Sequence, residues 1–159
     1  MEKSFEGLIK FEKVTKKFGA ITALEDVSFE IQSGEFVFIT GPSGAGKTTI
    51  NKLILKELVS SSGRIVIGDL DLAKVKGSRI AQLRRAVGVV FQDFKLLSDR
   101  TVFENVALTL EVVGLGGKEI EKEVKEILDL VGLSERASLF PAQLAGGELQ
   151  RVCLARAII

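Results

Sequence analysis

The sequence predicts an α/β fold in which a strand-rich N-terminal part is followed by a helical C-terminal part. Three observations carry that reading. Over residues 8–39, β-branched and aromatic residues alternate or run together in "LIKFEKVTKKF", "ITALEDVSFEIQ" and "EFVFIT", broken by "FGA" and "SGE". The octet "GPSGAGKT" at residues 41–48 then separates the last run from a segment of helical spacing. From Thr101 onward the apolar period is that of helices.

Taken in order, the first three runs read as strands. After Gly46, the residues Ile50, Leu53, Ile54 and Leu58 fall on one helical face, and "SSSG" stops the pattern. "RIVIGDLDL" returns to strand character, "SRIAQLRRA" reads as a short helix, and "VGVVFQDF" as a buried strand running into a loop. "TVFENVALTLEVVG" and "GKEIEKEVKEILDLVG" are helical. In the second, Ile120, Val124, Ile127, Leu128 and Val131 share a face, and Glu121 with Lys125 and Lys122 with Glu126 are spaced to pair on a solvated one. "GGELQRVCLARAII" is a last helix. It ends on apolar residues without a capping residue, so further chain or a partner is expected to cover it.

Composition narrows the chemistry. The 159 residues are 46% hydrophobic, enough for one domain with a real core, and 22 basic against 21 acidic residues give no pull toward nucleic acid or anionic lipid. The chain contains no histidine, which excludes Ser-His-Asp and Cys-His nucleophile systems and His-containing zinc sites. Its single cysteine, Cys153, cannot form an internal disulfide, which fits a reducing compartment; beside Leu149 and Val152 it reads as a core residue. No apolar stretch approaches the roughly 20 residues that span a bilayer, and "MEKSFEGLIKFEK" has acidic residues where a signal peptide has its apolar core. Arg84, Arg85 and Arg100 read as solvated side chains rather than a polyanion site.

The octet meets the pattern G-x-x-x-x-G-K-[ST] through Gly41, Gly46, Lys47 and Thr48. Between a strand and a helix, such a loop turns successive backbone N–H groups and the positive helix end toward one point, where a phosphate binds. Glycine is needed because the backbone must approach closely and adopt conformations that a Cβ forbids. Lys47 would reach the β- and γ-phosphates, and the Thr48 hydroxyl a magnesium ion. "NKLI" at residues 51–54 lacks the aspartate of a guanine-reading motif and lies inside the helix, so GTP is disfavoured. Phe18 offers a face on which adenine could stack.

Three stretches in order after the octet, "VVFQDF", "LAGGE" and "QRVCLARAI", resemble the Q-loop, the "LSGGQ" signature and the following helix of the ATP-binding cassette family. The stretch "VGVVFQDFKLLSDRTVFENVALTL" is similar to the cell-division branch of that family. The resemblance covers nearly the whole chain from about Ile9 and implies a P-loop NTPase core with an N-terminal antiparallel β region and a helical signature subdomain. It implies one partial nucleotide-binding domain over 1–159: a β and P-loop core at 1–76, a stretch leading to the Q-loop at 77–94, and a helical and signature region at 95–159.

The resemblance also assigns roles. Phe18 would stack on adenine, where the family usually has tyrosine. Gly41, Pro42, Ser43, Gly44, Ala45, Gly46, Lys47, Thr48 and Thr49 would hold the triphosphate of ATP. Lys47 and Gln92 would act in catalysis, with Thr48 and Gln92 on Mg2+. Ala145, Gly146, Gly147 and Glu148 would face the nucleotide of a second subunit, giving a head-to-tail homodimer. Here Ala145 replaces the signature serine and removes one hydroxyl donor. Residues 93–100 lie where such ATPases grip a transmembrane subunit, here an FtsX-like protein, which places the chain peripherally at the cytoplasmic face of the inner membrane.

The family's Walker B strand, catalytic glutamate, D-loop and switch histidine follow the signature helix and do not occur before Ile159. A fragment of a longer product is therefore expected, with uncovered apolar faces and partial folding or aggregation on its own, and with hydrolysis a property of the complete protein. Two alternatives stay open: an ATPase of the lipoprotein-release or macrolide-export type, and a truncated module that binds ATP without hydrolysing it.

Overall fold

Strand β1 (Ile9–Phe18) and strand β2 (Ile21–Ile31) pair antiparallel, from Ile9 opposite Ile31 to Phe18 opposite Ile21. In this computed structural model residues 8–159 are described; the first seven residues, part of the segment read above as lacking signal-peptide character, lie outside the described residues. The register slips where Lys13 and Asp26 take positive φ of 48° each. Cross-strand hydroxyls take up the displaced amides: Lys13 N–H donates to Ser28 Oγ at 2.9 Å and Asp26 N–H to Thr15 Oγ1 at 3.1 Å. Amides displaced from the ladder find partners in these hydroxyls, so the two slips are held features. Strand β3 (Ser62–Ile67) lies on the other side of β1, and β4 (Leu70–Asp71) closes an antiparallel sheet of order β2-β1-β3-β4. Gly63 is obligatory there, because a Cβ would sit 2.2 Å from the Lys13 carbonyl oxygen.

Helix α1 (Lys47–Ile54) buries Ile50 and Leu53, and helix α2 (Ser78–Ala86) buries Leu83. With Phe11, Val14, Leu24, Leu55, Ile65, Ile67, Leu72 and Val75 these are buried apolar residues of the first of two compact units, Met1–Ala86 and Val87–Ile159. The division falls inside the stretch 77–94. Helix α1 stops short of Leu58, because Lys56 turns to φ 54° and the amides of Glu57 and Leu58 fold back on the Lys52 carbonyl at 2.9 and 3.1 Å. Arg84 caps that end, with Nε donating to the Leu55 carbonyl at 2.9 Å.

Two segments expected as strands are not strands. "EFVFIT" runs as irregular chain with Phe36 85% and Phe38 78% exposed, the two rings meeting edge to face at 5.0 Å. "VGVVFQDF" is likewise irregular, with Val90 and Phe91 exposed. Continuous apolar runs become strands only where neighbouring strands accept their hydrogen bonds, and among the described residues neither run has one.

The second unit is helical, as the periodicity predicts. Helix α3 (Val102–Val113), helix α4 (Gly117–Leu130) and helix α5 (Gly146–Ile158) enclose a core of Val102, Val106, Leu110, Val124, Leu128 and Val152. In α4 the expected face is the inner one, with Ile120, Val124 and Leu128 buried and Ile127 and Val131 packed at its edge. Both expected ion pairs form on its outer face, Lys125 to Glu121 at 2.7 Å and Lys122 to Glu126 at 3.8 Å. A capping box opens α3: Thr101 Oγ1 accepts the Glu104 amide at 3.2 Å, and Glu104 Oε2 accepts the Thr101 amide at 2.7 Å.

Asn105 is fully buried, and its side chain ties the preceding loop to α3. Its Oδ1 accepts the Leu97 amide at 2.8 Å while Nδ2 donates to the carbonyls of Leu97, Arg100 and Thr101 at 3.0, 3.1 and 2.9 Å. Removing it leaves the Leu97 amide and the carbonyls of Leu97, Arg100 and Thr101 without this part-buried partner. Asn105→Ala is expected to lower stability by about 2–4 kcal/mol, read as a drop in the urea midpoint. An unchanged midpoint would mean that the loop amides find water instead.

Candidate phosphate-binding site

The octet forms a tight loop that ends in a left-handed glycine. Gly46, at φ 86° and ψ 3°, is the N-cap of α1, and Gly41 and Gly44 also take positive φ, 150° and 81°. At Gly46 the requirement for glycine is twofold. A Cβ there would sit 2.5 Å from the Ala23 carbonyl oxygen and 2.6 Å from Leu24 Cδ2, so the loop is seated directly on the start of β2. The open side lies elsewhere: a Cβ at Gly44 would meet nothing within 4 Å.

Lys47 turns back over the loop, and its Nζ donates to the carbonyls of Gly41 and Pro42, each at 2.7 Å. The ammonium is thus fixed at the loop mouth. The turn is closed by the Ala45 amide on the Pro42 carbonyl at 3.2 Å, and the first helical bond runs from the Ile50 amide to the Gly46 carbonyl at 3.1 Å. The amides of the first helical turn have no intrahelical acceptor, and no acidic side chain occupies that turn. Positive helix end, unengaged amides and one ammonium together suit a polyphosphate.

Thr48 is exposed on this turn, with its hydroxyl available to an ion carried in on the phosphates. Among the described residues no three His, Cys, Asp or Glu side chains converge as a metal cage. Phe18 stands at the end of β1, 45% exposed, with the Lys16 ammonium 4.9 Å from its ring centroid. It belongs to the same hairpin end as Leu24, against which Gly46 is seated. The first unit therefore contains Phe18 and residues 41–49 together.

The second unit contains the remaining candidates. Gln92 is exposed in a turn that precedes Phe94 and Lys95, both left-handed at φ 59° and 51°. Ala145 is the N-cap of α5 and, being alanine, offers its amides no side-chain acceptor. Glu148 compensates in part: its Oε2 accepts the Ala145 amide at 2.9 Å, and its Oε1 accepts from Arg136 Nε at 2.9 Å. The Ala145 amide first and the Arg136 guanidinium second hold the Glu148 carboxyl below the usual carboxylate range. A carboxyl depressed in the folded state contributes stability above its unfolded pKa and loses it as pH falls, so this capping weakens in acid.

Sequence reasoning missed Arg136 as partner of Glu148 and missed Ala23 and Leu24 as the seat of the loop. The capping spacing from Ala145 to Glu148 could have revealed the first contact on one side; the seat lies in a distant strand and has no local signal. The three arginines set aside above act on backbone and neighbours, as Arg84 does at α1 and as Arg100 does on Glu104 at 3.6 Å.

Comparison with known proteins agrees with this geometry. The family described as ABC transporter matches residues 24–159. The cell division ATP-binding protein FtsE of Bacillus subtilis (strain 168) is 50% identical over 153 residues, covering 96% of this chain and 67% of that protein. FtsE of Escherichia coli (strain K12) is 46% identical over 153 residues, with 96% and 69% covered. The chain thus spans about two thirds of the length of the curated relatives it matches. Among solved structures, the dimeric bacterial ABC transporter cassette MJ0796 superposes with a TM-score of 0.85 at 36% identity, covering 94% of this chain and 68% of that one. The protein cbiO1 of Clostridium perfringens, part of an ABC transporter complex, gives 0.86 at 28% identity, with 96% and 61% covered. A family match over residues 24–159 and relatives 46–50% identical over 96% of its length place this chain in the ABC transporter family.

Proposed function

We propose that the chain is the ATP-binding part of an FtsE-type subunit, which in its complete form hydrolyses ATP to drive an FtsX-like transmembrane partner in cell division. The observation that carries the proposal is the loop at residues 41–48, with Gly46 left-handed and seated on β2 and the Lys47 ammonium fixed at the mouth. The cell-division setting rests on FtsE relatives at 43–50% identity over 96% of the chain.

In this reading the amides of residues 44–49 bind the phosphates, and Lys47 exchanges its two carbonyl contacts for β- and γ-phosphate oxygens. Thr48 and Gln92 would hold Mg2+, which when bound neutralises phosphate charge. Gln92 would orient the attacking water, and Phe18 would stack on the adenine. Positioning and electrostatic stabilisation are what phosphoryl transfer asks of a protein. Ala145, Gly146, Gly147 and Glu148 would face the γ-phosphate held by a second subunit, giving a head-to-tail dimer. The solved MJ0796 cassette is dimeric, including a form bound to ADP and Pi, which supports that arrangement. Among the described residues no helix is long and apolar enough to cross a membrane, so attachment would come through the partner, gripped by residues 93–100.

Lys47→Ala is expected to weaken MgATP binding about ten- to a hundredfold, the loss of a charge-assisted contact, measured by calorimetric titration with far-UV circular dichroism to confirm the fold. Unchanged affinity would exclude the loop as the ATP site. Ala145→Ser restores a hydroxyl facing the partner's γ-phosphate and is expected to tighten ATP-dependent dimerisation about tenfold or more. Sedimentation at graded MgATP concentrations reads it, and an unchanged dimer constant would contradict the trans contact.

A further inference from the structure

Phe94 and Lys95 are successive non-glycine residues in the left-handed region, at φ 59° and 51°. Such residues cost free energy and persist where surrounding structure holds them. Local contacts do part of the holding. The Phe94 amide reaches the Phe91 carbonyl at 3.1 Å, and the ion pair of Lys95 with Asp93 is exposed. The Lys95 amide also folds onto the Asp93 carbonyl at 2.6 Å, which leaves the Phe94 and Lys95 carbonyls to be held from elsewhere, and their partners come from the last turns of α5. Arg156 spreads its guanidinium across both strained peptides, with one Nη donating to the Lys95 carbonyl at 2.7 Å and the other to the Phe94 carbonyl at 2.8 Å. Cys153 donates its thiol to the same Phe94 carbonyl at 3.3 Å. Gly88 lies flat on this turn: a Cβ there would sit 2.0 Å from the Ala157 carbonyl oxygen.

These contacts are independent of one another and converge on one segment. α5 is itself fixed, since Val152, Cys153 and Ala155 are fully buried. A planar guanidinium is suited to the task because its donors diverge in a rigid fork that grips two carbonyls at once, whereas an ammonium is a point donor.

We propose that Arg156 is the positioning residue of the segment around Gln92. By clamping the carbonyls of Phe94 and Lys95 it fixes where Gln92 stands and joins that segment to the helix that begins at the signature. With 13 residues, α5 is about 20 Å long, so a displacement at Gly146 is carried to Phe94 and Lys95 by one rigid element. The functional weight of this clamp rests on the proposal that Gln92 and the signature serve ATP; the clamp itself does not.

The test is amide hydrogen exchange on the whole chain, without and then with MgATP. Arg156→Ala is expected to speed exchange over residues 92–97 at least tenfold while α3 and α4 stay within twofold. Arg156→Lys should recover only part of the protection. Adding Phe94→Gly to either variant should recover more, because glycine adopts the left-handed conformation without the Cβ cost that the clamp otherwise offsets, a rescue that a merely structural role for Arg156 would not show. If Arg156→Ala fails to fold, Arg156→Lys with and without Phe94→Gly decides the matter. Unchanged exchange over residues 92–97, or no rescue by glycine, would overturn the proposal. With MgATP, protection of the Gln92 segment should appear in the wild type and be lost in Arg156→Ala although ATP still binds. If ATP binds neither protein, the function proposed above fails while the clamp measured without nucleotide stands.

Discussion

Irregular backbone has to find partners for its amide and carbonyl groups, and in this protein side chains reaching from helices supply many of them. Lys47 holds the carbonyls of Gly41 and Pro42 from the first turn of α1, and Arg84 holds that of Leu55 from α2. Asn105 satisfies the loop before α3, and Arg156 satisfies Phe94 and Lys95 from α5. Each contact couples irregular chain to an element whose apolar face is buried. An unpaired buried polar group costs more than a formed bond returns, which makes these contacts selective as well as stabilising.

In the proposed function, Lys47 would turn the same constraint to the binding of phosphate. A loop that must leave amides free for phosphate cannot use them to stabilise itself, so a side chain stabilises it through its carbonyls. The ammonium that does so stands where negative charge would arrive, and exchanging carbonyl for phosphate oxygens would strengthen its contacts because both partners would then be charged. Gly46 permits this by removing the Cβ that would collide with Ala23, bringing the positive helix end against the hairpin bearing Phe18. At the other glycine-led helix, Ala145 leaves its amides without a hydroxyl, and Glu148 with Arg136 provides a carboxylate cap.

Local chemistry was legible in the sequence; what depends on distant partners was not. Ile120, Val124 and Leu128 announce a helical face by spacing alone, and the face is buried as read. Gly41, Gly46, Lys47 and Thr48 announce the loop because backbone conformation and helix start are set within a few residues. "EFVFIT" and "VGVVFQDF" misled because strand character in a run of apolar residues is a property of the neighbours that pair with it, and a window on the run does not contain them. Leu58 misled for a different reason: its spacing continues the helix, but Lys56 turns left-handed and ends it. The Arg156 clamp was invisible for want of any pattern linking residues 61 and 62 apart in sequence.

The central claim is that backbone amides of the loop at residues 41–48 and the first turn of α1 receive a polyphosphate. Two-dimensional amide NMR of the labelled chain titrated with MgATP, MgADP and AMP tests it most directly. The account predicts that the amides of Gly44, Gly46, Lys47 and Thr48 move together and saturably with ATP and with ADP, and stay in place with AMP. Shifts confined to other residues, or equal response to AMP, would contradict it.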